Sequence, residues 1–526
     1  MSPGIKETIE QTAFVRKGKR GILRIIFGRA MVVLLLLALQ FFLIFACLYD
    51  FFQDIPLLFG GIEAFTAIML LYVLNTQENP SIKLSWAIVI SVLPLFGALL
   101  YFYVRFDLGH RVAQRLVGDS IRECMPYVPA QTELKEYLKQ EDKNLYNLVH
   151  YMEGCGNFPI YGNTTVKYFP LGEDKFEEML VQLEKAEKFI FMEYFTLSEG
   201  YMWDTILDVL CRKASQGVEV RFLYDGMVAV ANLPYSYPKK LRKLGIQCKM
   251  FSPVRPLVST HYNNRDHRKI LVIDGKVAFT GGVNLEDRYI NKEEVFGHWK
   301  DTAVMVEGEA AQGFTLMFLQ MWNHDEKERI YQPYLELPKV TEPTQGFVMP
   351  YGDSPMDKEN VGEMVYLNIL NQAKDYVYIM TPYLILDNEM ITALCFAAKR
   401  GVDVRLIIPH IPDKKYAFVL AKSHYKELAE AGVKIYEYTP GFVHAKVFLS
   451  DDLHAVVGTI NLDYRSLYLH FECAAYLYKV PALADILADF QDTMDKSHRV
   501  TDSEIKNPGF FTKLFGALLK VAAPLM

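Results

Sequence analysis

The chain has 526 residues, of which 51% are hydrophobic and 22% charged, and its formal net charge is -6. It is too long for one small domain, and its apolar share is high for a soluble protein yet below that of a chain built mostly of membrane spans. The slightly acidic balance offers nothing to the backbone of DNA or RNA, so nucleic acid is excluded as the expected partner.

Residues 1–30 form a basic segment that includes Arg16, Lys17, Lys19, Arg20, Arg24 and Arg29. A transmembrane region of two to three helices is expected over 31–115. It is carried by apolar runs at Met31 to Leu48, Ile55 to Leu74 and Leu84 to Val104, each long enough as a helix to cross a hydrocarbon core of about 30 Å. The second run holds Pro56, Gly60, Gly61 and Glu63, and it reads either as a span or as a shorter, re-entrant segment. The basic residues before the first run place that end in the cytoplasm. Arg105, Arg111 and Arg115 after the third run draw the next region to the same side, whereas three full spans would put it on the other, so sidedness is left open. Ile44 to Cys47 only faintly resembles a lipoprotein cleavage box, and lipidation is not expected. The seven cysteines, Cys47, Cys124, Cys155, Cys211, Cys248, Cys395 and Cys473, include no CxxC pair and read as packing residues.

From about Gly118 the pattern changes to short β-branched or aromatic runs alternating with longer amphipathic ones, as in α/β folds. Lys188 to Gly226 reads strand, loop, helix, glycine turn, strand, and Asp375 to His410 reads the same, with QGVEVRFL aligned on RGVDVRLI. The soluble part is therefore expected to be duplicated, with domains at 118–336 and 351–506 and a Pro-containing linker at 337–350. Residues 507–526 form an amphipathic segment with Lys513 and Lys520. It reads either as a terminal helix capping the core or as an interfacial membrane helix.

Each half carries one motif. The first runs His267-Arg268-Lys269-Ile270-Leu271-Val272-Ile273-Asp274, then six residues, then Gly281-Gly282-Val283-Asn284. The second runs His444-Ala445-Lys446-Val447-Phe448-Leu449-Ser450-Asp451, then six residues, then Gly458-Thr459-Ile460-Asn461. Asp-Gly between apolar runs signals a hairpin. A two-residue turn there pairs Ile273 with Lys276, His267 with Gly282 and His444 with Thr459. Alternation then puts His267, Lys269 and Asn284 on one face, and likewise His444, Lys446 and Asn461. Asp274 and Asp451 complete the motifs but fall at the turns, where a mainly structural role is expected.

An imidazole, an ammonium and an amide on one face suit a phosphate diester. Lysine supplies charge, while Asn284, Asn461 and the backbone at Gly282 and Thr459 can donate to non-bridging oxygens. Two histidines can divide nucleophilic from acid–base work. One histidine–lysine motif alone would be weak, since most histidines are structural; two intact frames make coincidence improbable. A zinc site is disfavoured, because each lysine would repel a cation and no third ligand recurs at metal spacing.

These residues resemble the HxK(x)4D(x)6GxxN signature of the phospholipase D superfamily, and the wider pattern resembles bacterial cardiolipin synthases. It includes Glu193-Tyr194-Phe195, Tyr224-Asp225-Gly226, Gly297-His298-Trp299-Lys300-Asp301, Asn461 to Ser466, Phe471-Glu472, and the segment from Asn79-Pro80 to Gly97. The resemblance implies an α/β fold of duplicated α/β/α sandwich domains related by a pseudo-twofold axis, with N-terminal transmembrane helices and one site at the domain interface. It implies no metal or cofactor, His267 as nucleophile, His444 as acid and base, and Glu472 as the acid that orients a histidine. Asp301 is the candidate for the matching acid in the first half. The implied reaction transfers a phosphatidyl group from one phosphatidylglycerol to another in a bacterial cell membrane that the protein crosses more than once. A phospholipase D-type hydrolase, another phosphatidyltransferase, or a lipid-binding scaffold without activity are the competing readings. Two departures stand out: Gly282 replaces a hydroxyl residue, and the run at 31–48 is additional to the shortest family members.

Overall fold

The computed structural model describes residues 29–48, 55–105, 108–228, 232–253, 264–336, 344–506 and 510–525. The basic residues before Arg29, part of the expected linker (337–343) and the start of the C-terminal segment (507–509) lie outside the described residues. The chain divides into one unit that holds the residues up to Ala113 and another that comprises Gln114–Pro253 and Asn263–Pro524.

The first unit contains α1 (Arg29–Leu48), α2 (Ile55–Leu74), α3 (Pro80–Val92) and α4 (Pro94–Arg105). Asn79 caps α3 by accepting the Ser81 N–H at 2.9 Å, with Pro80 in the first turn. The third apolar run, expected as one span, is instead two helices of 13 and 12 residues. Pro94 cannot continue the hydrogen-bond ladder, and neither piece is longer than about 20 Å. The two pieces pack closely, since a Cβ on Gly97 would lie 2.7 Å from Ile90 Cα. Met69, Val73, Trp86, Ile90, Ala98 and Tyr101 make the core of this unit. Among the described residues no helix is long and apolar enough to cross a membrane. Much of the side-chain placement in α1 and early α2 lies outside that description.

α5 (Leu108–Cys124) begins before the division at Gln114 and runs on through the expected boundary at Gly118 into the second unit. The first half then contributes β1 (Thr164–Phe169), β2 (Phe189–Tyr194), α6 (Tyr201–Ser215), β3 (Glu219–Asp225), β4 (Gln247–Phe251), β5 (Lys269–Ile273), β6 (Val277–Gly281), β7 (His298–Lys300), β8 (Ala303–Gly308) and α7 (Ala311–Asn323). The second half contributes β9 (Phe347–Asp353), β10 (Tyr376–Met380), α8 (Asn388–Lys399), β11 (Asp403–Pro409), α9 (Lys415–Ala431), β12 (Lys434–Tyr438), β13 (Gly441–Val443), β14 (Val447–Ser450), β15 (His454–Gly458), β16 (Glu472–Tyr478) and β17 (Ser497–Arg499), with α10 (Phe510–Ala522) at the end.

The first sheet has the order β1-β8-β6-β5-β2-β3-β4, and the second β17-β12-β11-β10-β14-β15-β16-β9. Read from β9, the second sheet repeats the first strand for strand. Four antiparallel pairings are followed by two parallel ones, and β17 is the only addition. This is the duplicated α/β architecture expected from the repeats. The repeat units are β2-α6-β3 and β10-α8-β11. Each passes from helix to strand through a glycine in the left-handed region, Gly217 at φ 93° and Gly401 at φ 97°. Each half has its own apolar core, and α7, buried along its whole length, packs against both sheets. Residues 347–350, expected in the linker, are already strand, paired with β16.

The motif hairpins differ from expectation by one residue. Ile273 pairs with Val277, not Lys276, and Ser450 pairs with His454. The Lys276 N–H donates to the Ile273 carbonyl at 3.0 Å and the Leu453 N–H to Ser450 at 3.0 Å, so each turn closes over three residues before the ladder begins. Asp274, Gly275, Asp451 and Asp452 all take positive φ. The turn aspartates bind backbone N–H groups. Asp274 accepts the N–H groups of Glu187, Lys188 and Phe189 at 2.9, 2.7 and 2.8 Å. Asp451 accepts those of Lys374, Asp375 and Tyr376 at 2.8, 2.9 and 2.8 Å. Each carboxylate thus fixes the start of the central strand, β2 or β10. Asp274→Ala is expected to lower unfolding stability by about 2 to 3 kcal/mol, since three donors lose their acceptor and alanine must hold a left-handed φ. Denaturant titration would show the loss, and Asp451→Ala should match it.

Candidate active site

Both histidines are held by a strand from the opposite half. Asp266 forms a parallel bridge with Phe471. The His267 N–H donates to the Phe471 carbonyl at 2.9 Å, and the Phe471 N–H donates to Arg265 at 2.8 Å. On the other side β13 pairs in parallel with β7, and the His444 N–H donates to the Lys300 carbonyl at 2.7 Å. The next residue along each supporting strand is a carboxylate. His267 Nδ1 therefore lies 2.9 Å from both oxygens of Glu472, and His444 Nδ1 lies 2.7 Å from Asp301 Oδ2. The two acids read from the sequence as orienting groups thus serve crosswise, each on the histidine of the other half. With Nδ1 occupied, Nε2 of each ring is the nitrogen left for a substrate.

The two lysines repeat the symmetry. Lys269 Nζ donates to the His267 carbonyl at 2.7 Å, and Lys446 Nζ donates to the His444 carbonyl. Lys446 Nζ also lies 2.9 Å from His444 Nδ1, but an ammonium has no lone pair to accept a proton, so the Nδ1 proton goes to Asp301. Burial, reinforced by the lysine charges, pushes both imidazoles well below their usual range. Burial likewise pushes Lys269 down to about 8 and Lys446 to about 7, and raises Asp301 to about 6. Two neutral imidazoles stand beside two lysines, whose ammonium groups are the charges available to a phosphate diester.

The other expected residues divide. The Gly282 N–H donates to the Thr302 carbonyl at 2.9 Å, and the Thr459 N–H to Cys473 at 2.9 Å. These backbone donors are spent on neighbouring strands and are not available to a phosphate, contrary to expectation. Gly282 has another reason to be small: a Cβ there would sit 1.9 Å from Asp301 Oδ1. In the second half the Thr459 hydroxyl instead donates to Glu472 Oε2. Asn284 was expected to share a face with His267 by strand alternation. β6 ends at Gly281, however, and the Asn284 amide accepts the Thr196 N–H at 3.2 Å and donates to the Tyr289 hydroxyl at 2.8 Å. Asn461 is buried with its Oδ1 lacking a partner, which makes it the freer amide. Asp274 and Asp451 lie at the turns, away from the histidines along their strands.

Three residues escaped the sequence reading. His470 has its ring centroid 5.5 Å from that of His267, Nδ1 3.7 Å from Glu472, and neither ring nitrogen hydrogen-bonded; burial holds it at about 4. Arg288 stacks over Tyr289 and Trp299, the two rings beside His444, and with Lys414 it adds positive charge there. A signal for Arg288 was present: both motifs continue as Asn-Leu-acid-x-Arg, ending at Arg288 and Arg465. His267, His470 and Glu472 also offer three ligand atoms within 4.8 Å of one another, as do Glu363, Asp387 and Glu389. At the first group the charges of Lys269 and Lys446 oppose a cation.

Residues 179–322 and 366–494 match the family described as cardiolipin synthase, PLD-like domain, and residues 64–105 match a phospholipase D-nuclease N-terminal family. The chain is 35% identical over 458 residues to a cardiolipin synthase of Alkalihalophilus pseudofirmus, covering 86% of this chain and 90% of that one. It is 33% identical over 479 residues to a cardiolipin synthase of Geobacillus kaustophilus, covering 89% and 94%. An uncharacterised protein of Streptococcus mutans is 55% identical over 456 residues, covering 87% and 99%. Among solved structures, a phosphatidylserine synthase of Haemophilus influenzae superposes with a TM-score of 0.55 at 15% identity, covering 73% of this chain and 98% of that one. That likeness concerns the fold alone.

Proposed function

The chain belongs to the cardiolipin synthase family of phospholipase D-like proteins, and from that premise we propose that it transfers a phosphatidyl group from one phosphatidylglycerol to another, giving cardiolipin and glycerol. The observation that carries this reading is the pair of buried imidazoles, each with Nδ1 on a carboxylate of the opposite half and a lysine beside it. His267 Nε2 attacks phosphorus. As the N–P bond forms, the bond from phosphorus to the glycerol oxygen breaks, and His444 Nε2–H protonates the departing alkoxide. His444, now neutral, takes the proton from the free hydroxyl of a second phosphatidylglycerol. That oxygen attacks phosphorus, the N–P bond breaks, and His267 is restored. Lys269, Lys446 and Asn461 hold the non-bridging oxygens, and Glu472 and Asp301 keep the two rings in the tautomer this needs. The diester's negative charge raises the His444 pKa on binding, so a ring that is neutral in the empty site can act as an acid in the complex.

Membrane anchoring belongs to the same proposal. Leu34, Leu35, Phe41, Phe42, Ile68 and Leu71 are exposed on the helices that carry the runs at 31–48 and 55–74, an apolar surface suited to contact with lipid.

The test is purified full-length protein in detergent with phosphatidylglycerol alone. Cardiolipin and glycerol in equal amounts support the synthase; phosphatidic acid would show that water is the acceptor, and the hydrolase reading would replace it. The pH dependence follows from the lysines. Below about pH 7 both are charged. As pH rises through about 7 and 8 the free enzyme loses first Lys446's charge and then Lys269's, so kcat/KM is expected to fall on the alkaline side. Lys446→Arg, which does not titrate, should remove the lower step at some cost in rate.

A further inference from the structure

α10 has two unlike faces. One is packed on α9: a Cβ on Gly516 would lie 3.2 Å from Ser423 Cβ, and Leu519 and Ala523 pack with Leu420 and Tyr464. The other face carries Leu514, Phe515, Leu518 and Val521, between 40 and 60% exposed, and Leu525 follows it, also exposed. At about 100° per residue these four side chains fall within an arc of roughly 120°, opposite the packed face. A contiguous stripe of large apolar groups facing outward on a terminal helix marks a contact surface rather than scattered exposure.

The direction of the stripe indicates what it meets. Gly516 sits by Ser423, whereas Leu519 and Ala523 sit by Leu420, so α10 runs antiparallel to α9 and heads for its N-terminal end. Lys414 and Lys415 are exposed there. Lys414 donates to the Tyr383 hydroxyl at 2.9 Å, and its charge reaches His444. The carboxylates of Glu427 and Glu430 lie toward the far end of α9. The helix that carries the apolar stripe thus packs on α9, whose N-terminal end carries the exposed lysines, Lys415 and the Lys414 whose charge reaches His444.

We propose that this face of α10 docks on the surface of an anionic phospholipid leaflet, with Leu514, Phe515, Leu518 and Val521 in the interfacial layer and Lys414 and Lys415 at the level of the phosphates. The charge is complementary to anionic headgroups and the helix has the character of an interfacial one. Docking here delivers the leaflet that holds the substrate to the rim of the site. This rests on the phospholipid substrate proposed above, but the surface can be tested apart from it.

The experiment uses the full chain in nanodiscs of phosphatidylglycerol or of phosphatidylcholine. Hydrogen exchange over 510–522 is expected to slow at least fivefold on the anionic discs relative to the zwitterionic ones. Phe515→Trp should be quenched by brominated anionic lipid beyond the quenching of the native tryptophans. Leu514→Ser/Phe515→Ser/Leu518→Ser should lower transfer in phosphatidylglycerol discs about tenfold while leaving transfer of monomeric short-chain phosphatidylglycerol within twofold. Exchange insensitive to lipid together with no added quenching overturns the proposal. So does protection that follows protein concentration instead of lipid charge, which would assign the face to a second copy of the chain. If no phosphatidyl transfer occurs under any condition the function reading fails, and exchange and quenching still decide the docking.

Discussion

Alanine at His267 is expected to lower phosphatidyl transfer by about 10^4-fold or more, the scale on which loss of a covalent nucleophile acts. The side chain is buried at the interface of the halves, held through its backbone by Phe471 and through Nδ1 by Glu472. His470 is adjacent, but neither of its ring nitrogens is hydrogen-bonded, so that ring is not set to substitute. His444→Ala should also be severe with the natural donor, because glycerol leaves poorly without a proton. The two substitutions separate with a donor whose leaving group is nitrophenolate, which needs no acid. His444→Ala should then still release about one equivalent of nitrophenol per enzyme in a burst, and His267→Ala none. A burst from His267→Ala would assign the nucleophile to His444.

The second large effect follows from the crossed carboxylates. Glu472→Gln replaces the charged two-oxygen acceptor by an amide whose NH2 can face Nδ1, so the His267 tautomer is no longer fixed, and it should cost about 10^2- to 10^4-fold in turnover. Although Glu472 lies in the second half of the chain, the variant should share the phenotype of His267→Ala and lose the nitrophenol burst. Asp301→Asn, in the first half, should share that of His444→Ala and keep it. The opposite pattern, in which each acid supports the histidine of its own half, would contradict the contacts at 2.9 and 2.7 Å. Folding of the variants is checked by their denaturation midpoints, which should shift far less than that of Asp274→Ala.

The contrast between motif and partner explains what could be read in advance. The histidine–lysine frames, the strand-helix-strand repeats and the placement of Asp274 and Asp451 at turns are local patterns, and local spacing carries them, whereas the N–H groups that the two aspartates accept lie 75 to 87 residues away. The pairing of His267 with Glu472 spans 205 residues and depends on how two sheets meet, so resemblance could name the acids but not the histidine each one serves. The one-residue slip of the hairpins arises because two consecutive left-handed residues, Asp274 and Gly275, are followed by a third loop residue before pairing begins. An Asp-Gly pair alone does not reveal that. Both outer strands end three residues before the asparagine, at Gly281 and Gly458, so neither amide follows strand alternation; Asn284 is bonded to Thr196 and Tyr289, and Asn461 is the available one. The split of the third apolar run was visible in principle at Pro94, where continuous hydropathy outweighed the helix-breaking residue. Arg288 was equally accessible, since the repeat extends past Asn284 and Asn461 to an arginine in both copies. His470 was hidden as one histidine among twelve, recognisable only once Glu472 and His267 stood beside it.

The most direct test of the two-histidine account is to quench the wild-type protein within one turnover of phosphatidylglycerol, under alkaline conditions that preserve phosphohistidine, and to locate the phosphatidyl group by peptide mass spectrometry. The account predicts the adduct on the peptide that carries His267. An adduct on the peptide that carries His444 would contradict it.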